Sequence, residues 1–109
     1  MADTGRAAGG DESLQRVWRR ATSAAYVESP PGSARRVVVL DLDRPELPAY
    51  VFEESAARIW ASVDGRRSEA QIATDLAVAF EASVDDVAAD VRQFVSRLRE
   101  LGLVVGQSG

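Results

Sequence analysis

The sequence predicts an α+β fold in which an N-terminal three-stranded antiparallel sheet, a meander or a hairpin with a looser first strand, packs on three C-terminal helices. Between Ser83 and Val105, apolar residues recur at alternating steps of three and four, which places them on one face of a helix. Between Arg36 and Leu42 the chain reads RVVVLDL, a β-branched run followed by apolar–polar alternation, which is typical of a strand. Burying the apolar stripe stabilises the helix by about 1.5–3 kcal/mol per side chain, which does not exceed the cost of ordering its backbone. The helix must therefore pack on other parts of the chain.

The N-terminal region combines a tail with a segment that fits two structures. The predicted boundaries are a disordered tail over residues 1–13, one domain over residues 14–105 and a disordered tail over residues 106–109. We favour a strand from about Val17 to Glu28, although residues 14–28 also fit a short helix. Two prolines and a glycine within residues 29–33 then predict a turn.

The next segments complete a small sheet. After the strand over residues 36–42, the stretch from Asp43 to Pro48 predicts a turn, and residues 49–52 return as a short strand. Asp41, Asp43 and Glu46 lie close together, but three carboxylates beside prolines are more typical of turn chemistry than of a metal site. A sheet this small is barely stable alone, so one of its faces must be covered.

Three helices follow the sheet. The first runs from Ser55 to Asp64 and is closed by Gly65, and the segment Ser68–Gln71 is a capping box that opens the second. Ser83 is a natural N-cap for the third helix, which Gly102 ends. The side chains predicted to face the core are Ala56, Ile59, Trp60 and Val63 on the first helix, Ile72, Leu76, Ala79 and Phe80 on the second, and Val84, Val87, Val91, Phe94, Leu98 and Leu101 on the third.

The composition excludes most enzyme chemistry. The chain has no cysteine, histidine or lysine, and all 13 basic residues are arginine. Disulfides, thiolate metal sites, imidazole acid–base catalysis and lysine Schiff bases are therefore impossible. We predict a protein that is not an enzyme, with no catalytic residues, no cofactor and no metal.

The charge and hydropathy patterns indicate the class of partner. The formal net charge is -4 and the pI is near 4.8, whereas nucleic-acid-binding proteins usually carry an excess of positive charge. The sequence has no run of eighteen apolar residues and no apolar signal core at its N-terminus. We therefore expect a soluble, cytoplasmic protein that does not bind a membrane, and nucleic acid is not the expected partner.

An ordered set of short motifs resembles one known family. The motifs are Tyr50-Val51-Phe52, Ser55-Ala56-Ala57-Arg58-Ile59-Trp60, Val63-Asp64-Gly65, Ile72-Ala73 with Leu76, Asp90-Val91, Phe94, Leu98 and Gly102-Leu103-Val104. Their order and spacing resemble the PqqD-like family, the small leader-binding proteins of pyrroloquinoline quinone biosynthesis, and its relatives, the RiPP recognition elements. The family usually has a small polar cap such as Asn where this chain has Glu53, so we expect Ser55 to cap the first helix.

The resemblance implies that the protein binds the leader segment of a ribosomally made precursor peptide and presents it to a separate enzyme. That enzyme would be a leader peptidase, as in lasso-peptide systems, or a radical enzyme, as in quinone-cofactor pathways, and the short stand-alone chain resembles the lasso type more. The leader would add as a strand to the open sheet edge and lie against the third helix. Main-chain hydrogen bonds then give affinity, and pockets for alternate side chains give selectivity.

The predicted groove lies between the last strand and the third helix. By alternation, Tyr50 and Phe52 share one face of the strand. Arg92 and Arg99 alternate with small and apolar residues beside the helix stripe, which predicts pairing with leader carboxylates. A solvated helix face with intrahelical partners such as Asp90 is an equally good account. The predicted peptide-binding residues are Tyr50, Val51, Phe52, Ala88, Val91, Arg92, Val95 and Arg99.

Two other functions fit the same elements. A hairpin with three helices is also winged-helix-like, as in DNA-binding regulators, but Asp85, Asp86 and Asp90 at the start of the third helix would be repelled by phosphates. A generic protein-interaction or dimerisation module is the other alternative, and an open sheet edge permits a monomer or a strand-swapped dimer. Trp60 is predicted to lie in the core, whereas Trp18 fits the core and a contact surface almost equally.

Overall fold

The computed structural model of the protein describes residues 15–32 and 35–106. Its elements are β1 (Val17–Arg20), β2 (Ala24–Glu28), β3 (Arg36–Asp41), β4 (Tyr50–Glu53), α1 (Ser55–Ser62), β5 (Asp64–Ser68), α2 (Glu69–Phe80), α3 (Val84–Glu100) and β6 (Val104–Gly106). The predicted α+β fold class is confirmed, and a winged helix is only a loose description of it. The tail predicted over residues 1–13 lies outside the described residues, while Gly106, assigned to the second tail, ends β6. Among the helices of the described ranges, none is long and apolar enough to cross a membrane.

The first sheet is the meander that the sequence predicts. β3 lies between β2 and β4, and both pairings are antiparallel. The register places Val38 opposite Val27 of β2 and Val51 of β4. Val37 and Val39 point to the other face and are fully buried in the core. The sheet therefore has one face packed on the core and one face directed away from it.

A second sheet, which no sequence pattern predicted, has the order β5-β1-β6. The single strand expected from Val17 to Glu28 is in fact two strands, β1 and β2, in different sheets. Gly65, expected to close a helix before a loop, lies within β5, which pairs with β1. β1 lies within the stretch for which a strand was favoured, whereas β5 reads DGRRS and lacks apolar alternation, so its local sequence carries no strand signal. Pairing with residues distant in sequence makes them strands.

The first two helices bury fewer of the predicted side chains than expected. The buried residues are Ala57, Ile59, Trp60 and Ser62 on α1, followed by Val63, and Glu69, Ile72, Ala73, Leu76 and Ala77 on α2. The prediction that Trp60 lies in the core is confirmed, whereas the prediction that Ala79 and Phe80 face inward is wrong. Ala79 lies on the side of α2 away from Ala77, and Phe80 ends the helix with the Arg58 guanidinium over its ring.

The third helix has the predicted ends but a rotated apolar stripe. Ser83 is the N-cap, although its side chain makes no capping hydrogen bond, and Gly102 follows the C-cap with φ of 78°. The buried side chains of α3 are Val87, Val91, Val95 and Leu98, while Phe94 and Leu101 are partly buried. Val84, predicted to face the core, is exposed because it stands in the first turn, at the end of the helix. The stripe is therefore centred closer to Val95 than the spacing predicted.

The capping box at the start of α2 is confirmed. Ser68 Oγ accepts a hydrogen bond from the Gln71 N–H at 3.2 Å, and Gln71 Oε1 accepts one from the Ser68 N–H at 3.0 Å. These two bonds satisfy N–H groups that a helix start otherwise leaves without partners. They mark the point at which β5 becomes α2.

The junction between β4 and α1 is built on Glu54 rather than Ser55, so the prediction that Ser55 caps the helix is wrong. Glu54 has φ of 56° and its side chain makes no capping hydrogen bond. Its N–H donates to the Arg35 carbonyl and its carbonyl accepts from the Arg58 N–H, both at 3.1 Å. These two bonds hold a residue other than glycine at a positive φ, where its Cβ is crowded by the backbone.

We expect the Glu54→Gly variant to be more stable than the wild type. Glycine adopts positive φ without the steric cost that Glu54 carries, and the gain should be about 1 kcal/mol after the entropy cost of glycine. The measurement is the thermal midpoint, which should rise by about 4–8 °C per kcal/mol for a domain of this size. Glu53→Gly, one residue earlier in the regular part of β4, is the control and should lower the midpoint. An equal decrease in both variants would contradict strain at Glu54.

Candidate functional site

An open groove of about 560 Å³ lies between β4 and α3. It is lined by Tyr50, Phe52, Asp90, Gln93, Phe94, Arg97, Leu98 and Leu101. β4 supplies its aromatic residues by strand alternation, and α3 supplies the others at helical spacing over three turns. The groove is therefore long enough for several residues of an extended chain and joins an apolar wall to a polar rim.

Three aromatic rings form the apolar wall of the groove. The ring of Phe52 packs edge-on against Phe94 with centroids 5.0 Å apart, and it stacks beside Tyr50 at 6.4 Å. Phe52 also contacts the buried ring of Trp60 at 5.9 Å. Because Phe52 is held from below by a fully buried side chain, the wall is fixed to the core.

The strand beside the groove has an open edge. Among the described residues, β4 is an edge strand of its sheet. Glu54 donates its N–H to the Arg35 carbonyl, so the antiparallel pattern makes Phe52 and Tyr50 the residues that hydrogen-bond to β3. The N–H and C=O groups of Val51 and Glu53 then point away from β3, toward the open edge. This edge can accept another extended chain.

The structure separates the eight sequence-predicted site residues into five groups. Tyr50 and Phe52 line the groove, Val51 points to the opposite sheet face, and Ala88 and Arg92 line a neighbouring depression with Ala89, Gln93 and Ser96; Val91 and Val95 lie in the core, and Arg99 lines neither depression. Val91 and Val95 are 0% and 1% exposed, so they can support the groove only from beneath. Because neither side chain reaches the surface, their predicted contact with the peptide is corrected to a supporting position in the core.

Sequence reasoning missed the polar side of the groove, which consists of Asp90, Gln93 and Arg97. On a helix with 3.6 residues per turn, Arg97 lies on the same side as Phe94, whereas Arg99 lies about 200° further round. The spacing from Phe94 would have selected Arg97. This spacing identifies Arg97 only once Phe94 is known to lie beside β4, because the apolar stripe alone does not say which of its two borders meets the sheet.

The buried carboxyl group of Glu69 lies within the electrostatic influence of Arg92. Glu69 is buried at the start of α2, and its Oε2 accepts a hydrogen bond from Trp18 Nε1 at 2.7 Å. Burial raises the pKa of the Glu69 carboxyl, while the Trp18 bond and the positive charges of Arg92 and Arg16 oppose that rise. The Arg92 charge therefore favours the ionised form of this buried carboxyl group, and Trp18 is a core residue that ties β1 to α2.

The acidic residues at the end of β3 make a hydrogen bond within the turn that follows the strand. Asp41 Oδ1 accepts a hydrogen bond from the Asp43 N–H at 3.0 Å, two residues along the chain. Within residues 15–32 and 35–106, no group of three or more acidic, histidine or cysteine side chains is placed to hold a metal ion.

Two solved structures share this fold; one was solved with a leader peptide bound, and the other is described as a RiPP recognition element. TbiB1, solved in complex with the TbiA(beta) leader peptide, superposes with a TM-score of 0.69 and 16% identity, over 84% of this chain and 99% of that chain. The solution structure of the PqqD truncation of Methylobacterium extorquens PqqCD, a functional and stand-alone RiPP recognition element, gives a TM-score of 0.61 and 21% identity, over 82% of this chain and 88% of that chain. At these identities the likeness establishes the fold.

The family is established by the sequence match. The family model for coenzyme PQQ synthesis protein D (PqqD) matches residues 36–104, which is more than half of the chain. This chain belongs to the PqqD family. No curated protein matches this chain significantly.

Proposed function

We propose that this protein binds the leader segment of a ribosomally synthesised precursor peptide and presents it to a separate enzyme. The observation that carries the proposal is the position of an open strand edge, at β4, directly beside the aromatic groove. Membership of the PqqD family and the fold shared with TbiB1, which was solved with a leader peptide, support the same class of ligand.

The proposed binding mode is strand addition to β4. The backbone groups of Val51 and Glu53 pair with the peptide, which becomes the fourth strand of the β2-β3-β4 sheet. Every second side chain of the peptide then points into the groove over Phe52, and the ones between point to the opposite face of the sheet. Asp90 and Arg97 stand along the groove, where they can pair with polar side chains of the peptide.

In this proposal, a separate enzyme carries out the cleavage or modification of the precursor peptide. The chain has no histidine, cysteine or lysine, so it lacks a thiol nucleophile and the bases that usually activate a serine for peptide cleavage. A leader peptidase of the lasso-peptide type is the partner that we favour, and a radical enzyme of the quinone-cofactor type is the alternative. The protein would act in the cytoplasm, where precursor peptides are made.

The proposal is tested by fluorescence anisotropy with labelled leader peptides encoded by short reading frames near the gene. We expect sub-micromolar affinity for one leader and none for its scrambled control. If no leader binds and the protein instead shows salt-sensitive binding to duplex DNA, the DNA-binding alternative replaces leader recognition.

We expect the Arg97→Glu variant to bind the leader about tenfold more weakly, since the pairing with a peptide carboxylate is lost and a like charge is introduced beside it. The measurement is the same titration at low and at moderate salt. Arg99→Glu carries the same charge change on the same helix but outside the groove, and it should retain the wild-type affinity. Equal losses in both variants would indicate a general charge effect, and a loss confined to Arg99→Glu would restore the sequence-based choice of helix side.

A further inference from the structure

The face of the β2-β3-β4 sheet that points away from the core is apolar. We call it the outer face, and it consists of Ala25, Val27, Val38, Leu40, Leu42 and Val51. Exposed fractions are 67% for Val27, 58% for Leu42, 49% for Val51 and 46% for Leu40. Side chains of this kind are normally scattered singly on a protein surface, whereas these are adjacent.

The strand register joins these side chains into one surface. Val27, Val38 and Val51 lie directly opposite one another and form a row across all three strands. Ala25 and Leu40 form the next row toward the Leu42 end. At the other end, Arg36 and Glu53 are opposite each other and form an ion pair with Arg36 Nε 3.5 Å from Glu53 Oε2. The outer face is therefore bordered by charge on one side and apolar within.

The outer face is too small for a stable pair of identical subunits. Three strands about 4.8 Å apart, with five, six and four residues in β2, β3 and β4, cover roughly 240 Å². Stable protein–protein interfaces bury about 800 Å² on each partner, whereas transient contacts are smaller. The area therefore fits a transient partner better than a second copy of this chain.

The outer face is continuous with the edge to which the leader would add. The row of valines ends at Val51, whose N–H and C=O point toward the open edge of β4. A peptide strand paired there would place its residue opposite Val51 next in the row, on the outer face. Leader binding would enlarge this surface by one strand, so a protein that covers it would touch the recognition protein and the leader together.

We propose that the outer face is the docking surface for the enzyme that acts on the bound precursor, and that this enzyme presents a complementary apolar patch. The proposal rests on leader recognition at β4. The bound leader completes the surface, so the enzyme binds the protein–leader complex more tightly than the protein alone. The contact is transient, which suits an enzyme that must release its processed substrate.

The test uses the purified leader peptidase or modifying enzyme encoded beside the gene, titrated against the full-length protein by calorimetry with and without the leader. Val27→Lys and Leu40→Lys should each weaken enzyme binding by about tenfold or more and leave leader affinity unchanged, because neither residue belongs to β4 or lines the groove. Val78→Lys places the same charge at an apolar side chain on α2 that is 75% exposed, and it should bind the enzyme as the wild type does. Leader should raise the affinity of the wild type for the enzyme.

Three results would overturn the proposal. The first is no enzyme binding by the wild type, and the second is an unchanged affinity in Val27→Lys and Leu40→Lys. The third is a wild-type dimer in sedimentation equilibrium that becomes monomeric in Val27→Lys, since the occupant would then be a second copy. Failure of leader recognition itself is distinguishable, because it appears as absent leader binding in the anisotropy titration of the wild type.

Discussion

The Val95→Asp variant is expected not to fold. Val95 lies in the middle of α3 and is 1% exposed, in the core that contains Val91 and Leu98. A carboxylate buried there without a partner costs several kcal/mol, and the total stability of a domain this size is about 5–15 kcal/mol. Far-UV circular dichroism should show loss of the helical signal at room temperature, or a melting transition far below that of the wild type.

Ser96→Asp is the matched control for this prediction. Ser96 is the next residue on the same helix and lies at the surface, so the same carboxylate remains in contact with water. Its thermal midpoint should stay within about 2 °C of the wild type, as for most surface substitutions. A wild-type midpoint for Val95→Asp would show that Val95 does not lie in the core and would return it to the groove.

The second large effect is expected from Val51→Pro, which should weaken leader binding strongly without unfolding the protein. The Val51 N–H points to the open edge rather than to β3, so proline removes a hydrogen-bond donor from the peptide ladder only. Its ring also stands where the added strand must approach. We expect the leader dissociation constant to rise by about a hundredfold, from one lost main-chain bond and the displaced neighbours.

The control variant Val51→Ala distinguishes the effect of the backbone N–H on leader affinity from the effect of the side chain. It keeps the N–H and shortens a side chain on the outer face, so leader affinity should be close to that of the wild type. Circular dichroism of Val51→Pro should match the wild type, whereas Phe52→Pro, which breaks a bond to β3, should destabilise the fold. Undiminished leader binding by a folded Val51→Pro protein would exclude strand addition at β4.

Features set by a few neighbouring residues were predicted correctly. The capping box at Ser68, the strand at Arg36–Asp41 and the burial of Trp60 all follow from short patterns of residue type. The end of α3 at Gly102 follows from the backbone freedom of glycine. The ordered motifs between the last strand of the meander and Val104 were sufficient to indicate the PqqD family, which the family match confirms.

The side of α3 that forms the groove was not predictable in the same way. The apolar stripe covers only about 140° of the circumference of this helix, with Asp90 and Arg97 along one border and Arg92 and Arg99 along the other, so the periodicity alone does not say which border meets β4. The choice between them depends on where Phe52 and Trp60 sit, and these belong to other elements. For this reason Arg99 was selected where Arg97 lines the groove.

By itself the sequence determined the three helices, the meander, the lack of histidine, cysteine and lysine chemistry, and the family, because capping, periodicity and composition act over a few residues. Only the tertiary structure decided the second sheet, in which Val17 pairs with Ser68 and Arg20 with Val104. It also decided which helix side meets β4 and that the valine row forms one outer face. These features arise from contacts between residues far apart in the chain, and such contacts are selected by the packing of the whole domain rather than by any local preference.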